Sequence, residues 1–235
     1  MPRIFAVAVL ILATLGCPTL AVTQEEAVRA VAGGGISAPG WQGAVDARAA
    51  ARGQTIKDTK LAQEGDALHV ITGPAATYWN PANTASGDYT VKATFTEPKY
   101  MNLNDHPHPY GVFIGGNELG TERESLLYCE AYGNGTFIVR GFGPEPFRMN
   151  GREGESNAAV HRAASPGQPV TQEIALSVKG DKVACRINGT VVATYAKADV
   201  VAPGKLKSTD GMYGIRFAHN TEGLVKGLTV THSPD

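Results

Sequence analysis

The stretch 126–142, LLYCEAYGNGTFIVRGF, decides the fold class. In its first half Leu127, Cys129 and Ala131 alternate with Tyr128, Glu130 and Tyr132; in its second half Phe137, Val139 and Gly141 alternate with Ile138, Arg140 and Phe142. Successive side chains of an extended chain point to opposite faces, so a period of two on both halves reads as two strands. Between them stands Asn134-Gly135, which suits a two-residue hairpin turn because both positions tolerate positive φ. Asn188-Gly189 separates 183–187 from 190–195 in the same way.

Working outward, the same alternation recurs at 68–72, 89–96, 110–115, 173–178, 213–217 and 225–231, in segments rich in Val, Ile, Tyr, Phe and Thr. About ten short strands with no amphipathic helix between them predict an all-β fold, a two-sheet antiparallel β-sandwich. The 28 glycines and 14 prolines supply the turns that such a fold needs. A chain of 235 residues is long enough for one large core. Residues 1–21 read as a signal peptide, 22–40 as an N-terminal segment or linker outside the core, and 41–235 as the sandwich domain.

The leader reading rests on Arg3, an apolar run from Ile4 to Gly16, and small residues at Thr19 and Ala21 for cleavage. The run is too short to span a bilayer, so no membrane span is expected and the chain reads as exported, periplasmic or extracellular. Lipid anchoring at Cys17 is the alternative, because Leu15-Gly16-Cys17 resembles a lipobox, although Thr14 and Pro18 fit one poorly. Two cysteines then remain, Cys129 and Cys185, and each alternates in phase with apolar neighbours. A disulfide suits an oxidising compartment. Against it, facing sheets lie about 10 Å apart and a disulfide needs Cα atoms within about 7 Å, so two unbridged core cysteines stay an equal alternative.

A net charge of −1, with 18% charged residues and no Lys/Arg run, argues against nucleic acid and anionic membranes as partners. No serine or cysteine nucleophile motif, phosphate-cradling glycine loop or dense acidic calcium loop stands out, so no cofactor is expected. The chemistry concentrates on one sheet face, where Tyr128, Glu130, Tyr132, Arg140 and, from a late strand, Arg216 should stand together. Sugar C–H faces stack on aromatic rings and sugar hydroxyls need fixed polar partners, so this set suits a carbohydrate. The alternative is an outer face with ordinary cross-strand charge pairs.

Two long irregular stretches, 97–109 and 143–171, read as loops. In the first, His106-Pro107-His108 follows Asp105; with His219 and Asn220 these histidines are candidates for the rim of a sugar site, His108 as donor or base. A metal reading needs a third ligand from afar, such as His219, and is not adopted. Trp79 reads as a core residue ahead of a stacking platform.

Several segments also resemble a known fold family. Gly65-Asp66-Ala67-Leu68-His69-Val70 and Gly87-Asp88-Tyr89-Thr90-Val91 look like its paired early strands; Tyr110-Gly111-Val112-Phe113 and Leu127-Tyr128-Cys129-Glu130 look like its central strands. Residues 183–190, with their Asn-Gly turn, resemble its hairpin, and Asp210–Arg216 with Leu228–Val230 its closing pair. In order and spacing these resemble concanavalin A-like jelly rolls of the laminin-G-like and 3-keto-disaccharide hydrolase type, over most of 41–232. The resemblance implies a jelly roll and, in hydrolase-type members, a glutamate at the Glu130 position acting as acid/base. Glucanases of this fold carry Glu-x-Asp-x-x-Glu, whereas here Glu130-Ala131-Tyr132-Gly133-Asn134-Gly135 lacks both later carboxylates. Retaining glycoside hydrolysis needs two carboxylates, so that chemistry is not expected. The reading is a glycan-binding or cell-envelope module without catalysis. A keto-sugar hydrolase or lyase using Glu130 and His108, and a structural protein-interaction domain, are the alternatives.

Overall fold

Burial in the computed structural model, which describes residues 27–143 and 145–232, follows the period-two pattern of the sequence. The leader and Cys17 lie outside the described residues. In chain order the strands are β1 (Gly35–Ile36), β2 (Gln42–Val45), β3 (Thr59–Glu64), β4 (Ala67–Thr72), β5 (Ala76–Ala85), β6 (Tyr89–Glu97), β7 (Tyr110–Asn117) and β8 (Ser125–Ala131). Then come β9 (Thr136–Gly143), β10 (Glu145–Arg148), β11 (Glu155–Ser156), β12 (Val170–Lys179), β13 (Lys182–Ile187), β14 (Thr190–Ala196), β15 (Gly211–Phe217) and β16 (Glu222–His232). The only described helical segments are single turns, such as α1 (Ala47–Ala50), and none is long and apolar enough to cross a membrane.

The first sheet runs β1-β3-β4-β16-β6-β12-β13-β14; the second runs β10-β9-β8-β7-β15-β5-β2, with β11 added on β9. Pairing is antiparallel except between β1 and β3. The sheets face one another across one core, in which Tyr89, Val91, Ala93 and Phe95 of β6 oppose Leu127, Cys129 and Ala131 of β8 and Tyr110, Val112 and Ile114 of β7. Phe95, Tyr110 and Phe217 pack ring on ring, with centroids 5.7 to 5.9 Å apart. Between the sheets runs a disulfide, Cys129–Cys185, with Cα atoms 6.1 Å apart. The two sheets thus converge locally to well inside the usual spacing, which the sequence pattern could not convey.

All the strands expected from alternation are present, but several expectations need correction. The described part of the 22–40 segment, residues 27–40, joins the sandwich: β1 pairs with β3 and Ala38 is buried in the core. The early strands β4 and β6 are not paired with each other, because β16 lies between them. The closing strands β15 and β16 sit in opposite sheets. Asn188 (φ 49°) and Gly189 (φ 80°) form the expected two-residue turn. At 132–135, however, the connection has four residues, φ is positive only at Gly135, and Asn134 Oδ1 instead accepts from the backbone N and hydroxyl of Thr136. The 143–171 stretch is not wholly irregular, since β10 and β11 fold back onto β9.

Candidate functional site

The outer face of the second sheet is built by register. On β5, β15, β7, β8 and β9 the residues Thr77, Arg216, Gly111, Glu130 and Ile138 lie directly opposite one another, so their side chains share that face. Gly111, between Arg216 and Glu130, has no side chain, and a Cβ there would strike the Cys129 carbonyl. The gap lets the guanidinium and the carboxyl meet across the middle strand. A parallel row carries Trp79, Gly214, Phe113, Tyr128 and Arg140.

Part of this face is a second apolar cluster of Trp79, Phe113, Leu119, Leu126, Tyr128 and Ile138. Trp79, 7% exposed, is therefore a packed residue. Beside the cluster opens a groove of about 860 Å³, whose lining includes Tyr128, Glu130, Tyr132, Arg140 and Arg216 and, on one wall, His106, His108 and His219. A smaller hollow of about 140 Å³ shares Asp46, Arg48, Ala75 and His219 with it.

Arg216 anchors the floor and is only 5% exposed. Its Nη1 and Nη2 donate to the two carboxylate oxygens of Asp46, each at 2.7 Å, and Nη1 also donates to the Thr77 hydroxyl at 2.9 Å. Its guanidinium carbon lies 4.9 Å from the ring centroids of both Tyr128 and Phe142, a cation–π contact with each of two neighbouring rings. Burial opposes charge on Arg216, but the Asp46 carboxylate holds its pKa well above the usual value. The remaining Nε faces Glu130 Oε1 at 3.6 Å, and neither atom has a hydrogen-bond partner.

Glu130 is 2% exposed. Burial pushes its carboxyl up to about 7; the Arg216 charge pulls the other way, Asp46 adds to the rise, and Arg140 opposes it. Burial likewise lifts the Tyr128 and Tyr132 hydroxyls to about 12, so both remain neutral donors at ordinary pH. Glu124 lines the groove as well, raised by burial, and accepts from the Gly120 N–H at 3.2 Å. Arg140 reaches along the face, with Nη2 donating to the Arg152 carbonyl at 2.6 Å and Nε buried without a partner.

On the wall, His108 Nδ1 donates to the His219 carbonyl at 2.6 Å, and its ring packs 4.1 Å from that of His219. His106 Nδ1 donates to Asp105 Oδ1, and the Nε2 atoms of His106 and His108 meet at 2.8 Å. Among the described residues no group of three or more His, Cys, Asp or Glu is placed to hold a metal.

Asn220 departs from its expected place at the ligand. It is fully buried with φ 50°, its Oδ1 accepts from Arg29 N and its Nδ2 donates to the Ala27 carbonyl. It pins the N-terminal segment to the sandwich.

Sequence reasoning missed Asp46, Thr77, Gly111 and Glu124. Nothing near Asp46 advertises a partner 170 residues away. Gly111 carried a readable signal, because a glycine inside a strand pattern marks a close approach.

No family model and no curated protein matches the chain. Among solved structures it is similar to a Bacillus subtilis protein of unknown function with a galectin-like fold, at 12% identity, 82% of this chain, 89% of that one and a TM-score of 0.52. It is also similar to the laminarinase catalytic domain from Thermotoga maritima (12% identity, 83% and 84% coverage, TM-score 0.45). A third is the carbohydrate binding module CBM66 from Bacillus subtilis (10%, 84% and 98%, TM-score 0.39). At such identities the likeness speaks for the fold alone. The chain is a concanavalin A-like, galectin-like jelly-roll sandwich.

Proposed function

We propose that this protein binds a carbohydrate in the groove on the outer face of its second sheet, and that an N-terminal leader exports it. The observation that carries the reading is the groove itself: tyrosine rings beside Arg140 on a floor of buried, mutually fixed charges. A floor locked by the Asp46–Arg216 fork is preorganised, so little side-chain order must be gained on binding. The half-buried ring of Tyr132 offers a stacking surface, while Arg140, Glu130 and the phenols offer donors and acceptors for hydroxyls. The Cys129–Cys185 bond fits an oxidising compartment, in keeping with export.

A glycan array on the wild-type protein and on Tyr132→Ala tests the reading. It expects saturable binding to at least one glycan class, weakened about tenfold or more by the substitution, as loss of a stacked ring removes on the order of 1.4 kcal/mol.

A second reading is favoured by one observation, the Glu130 carboxyl held at about 7 at the groove floor. Such a group is poised as an acid/base near neutral pH, and elimination or hydrolysis of a keto-sugar can proceed with one such residue, assisted by His108 from the wall. Turnover of a 3-keto-glucoside by the wild type but not by Glu130→Gln would select it.

A further inference from the structure

Resting on the carbohydrate reading above, the charge layout says which carbohydrate. The groove lining carries six carboxylates, among them Asp46, Glu124 and Glu130, against four arginines. Its deepest cation, Arg216, is already neutralised, both terminal nitrogens being occupied by Asp46 and its Nε facing Glu130. Arg140 is turned along the sheet toward the Arg152 carbonyl, and Arg152 itself stands 3.7 Å from the exposed carboxylate of Glu153. A ligand carboxylate or sulfate would thus enter a site with more carboxylates than arginines, whose deepest arginine already has its fork filled by Asp46, in contrast to the open bidentate pairing by which proteins select anions.

We infer that the groove selects uncharged glycans against uronate- and sulfate-bearing ones, and that docking drives a proton onto Glu130. The second half follows from geometry. Glu130 lies on the floor at 2% exposure, so a sugar lying over it closes off the little solvent still reaching a carboxyl whose Oε1 is already buried without a hydrogen bond. The groups facing it are Arg216 from β15, Arg140 from β9, Asp46 after β2, and Tyr128 and Tyr132 on its own hairpin. Arg216 shares its charge between Asp46 and Glu130, and Arg140 directs Nη2 at the Arg152 carbonyl, so neither cation is held by Glu130 alone and further desolvation favours the neutral acid. The protonated carboxyl then donates to a ligand hydroxyl or ring oxygen. Glu130 already titrates at about 7, so small changes in its surroundings shift its proton occupancy near neutral pH.

The test is isothermal titration with cellotetraose, maltotetraose and galactotetraose as neutral probes, and tetragalacturonate and a sulfated galactan oligomer as anionic ones. Each titration is run at pH 7 in phosphate and in Tris, whose different ionisation heats report proton uptake. The expected result is binding of a neutral probe at least about tenfold tighter than any anionic one, with a fraction of a proton taken up. Glu130→Gln should lose the buffer dependence of whatever neutral binding it retains; if that variant does not fold or does not bind, the two-buffer comparison on the wild type decides the proton coupling alone. Anionic probes binding as tightly as neutral ones, or neutral binding with equal heats in both buffers, would overturn the inference and leave the carbohydrate site standing. Absence of binding to every glycan, here and on the array, would remove both.

Discussion

Replacing Glu130 with glutamine should make the protein more stable at alkaline pH, and by a calculable amount. In the fold the carboxyl titrates at about 7 in place of its usual 4.5, chiefly because burial disfavours the charged form. A raised carboxyl pKa means that the native state holds the proton more tightly than the unfolded chain. Its contribution is fully present below about pH 4.5 and is lost as pH rises through about 7. At 1.36 kcal/mol for each pH unit between those values, the loss is about 3 kcal/mol. Glutamine is nearly isosteric and does not titrate. Urea denaturation of both proteins from pH 4.5 to 8.5 should give two curves whose separation grows with pH, with Glu130→Gln gaining about 3 kcal/mol on the wild type by pH 8. Glu97, also raised to about 7 by burial, titrates equally in both proteins and cancels in the difference. Curves that stay parallel, or a wild type that gains on the variant as pH rises, would refute the claim that Glu130 is a strained, buried acid.

Other perturbations test what holds the site in place. Converting Cys129 and Cys185 together to alanine opens a loop with a sequence separation of 56, which chain entropy values at about 4 kcal/mol; calorimetry should show Tm falling by roughly 10 °C. Asp46→Ala leaves the Arg216 guanidinium buried without its carboxylate and should cost about 3–5 kcal/mol in urea denaturation. Gly111→Ala drives a methyl into the Cys129 carbonyl between Glu130 and Arg216, and should cost about 1–3 kcal/mol while weakening glycan binding in the same preparation.

The strands that could be read from the sequence were those with strict alternation, such as β6, where Tyr89, Val91, Ala93 and Phe95 mark every second position. Those that escaped lack it. Strand β5 carries Pro81 amid Asn and Thr, and Pro is a poor strand signal; β3 is half polar, because it lies near the sheet edge. Sheet order escaped too, since β16 enters between β4 and β6 from the far end of the chain and no local pattern encodes that. For the site, alternation was enough to group Tyr128, Glu130, Arg140 and Arg216 on one face. It did not reveal that the face is hollowed into a groove with a histidine wall, that Glu130 and Arg216 are almost inaccessible, or that Asp46 pairs with Arg216. Asn220 was misassigned because an asparagine beside a candidate histidine looks like a ligand contact; its left-handed backbone and buried amide serve the N-terminal segment.

The carbohydrate groove is tested most directly by mapping amide chemical shifts while a neutral oligosaccharide that binds on the array is titrated in. Shifts should concentrate on β8, β9 and the 104–108 wall, at Tyr128, Glu130, Tyr132, Arg140 and His106, and vanish in Tyr132→Ala at the same ligand concentration. Shifts confined to the outer face of the first sheet, or unchanged by that substitution, would place the sugar elsewhere.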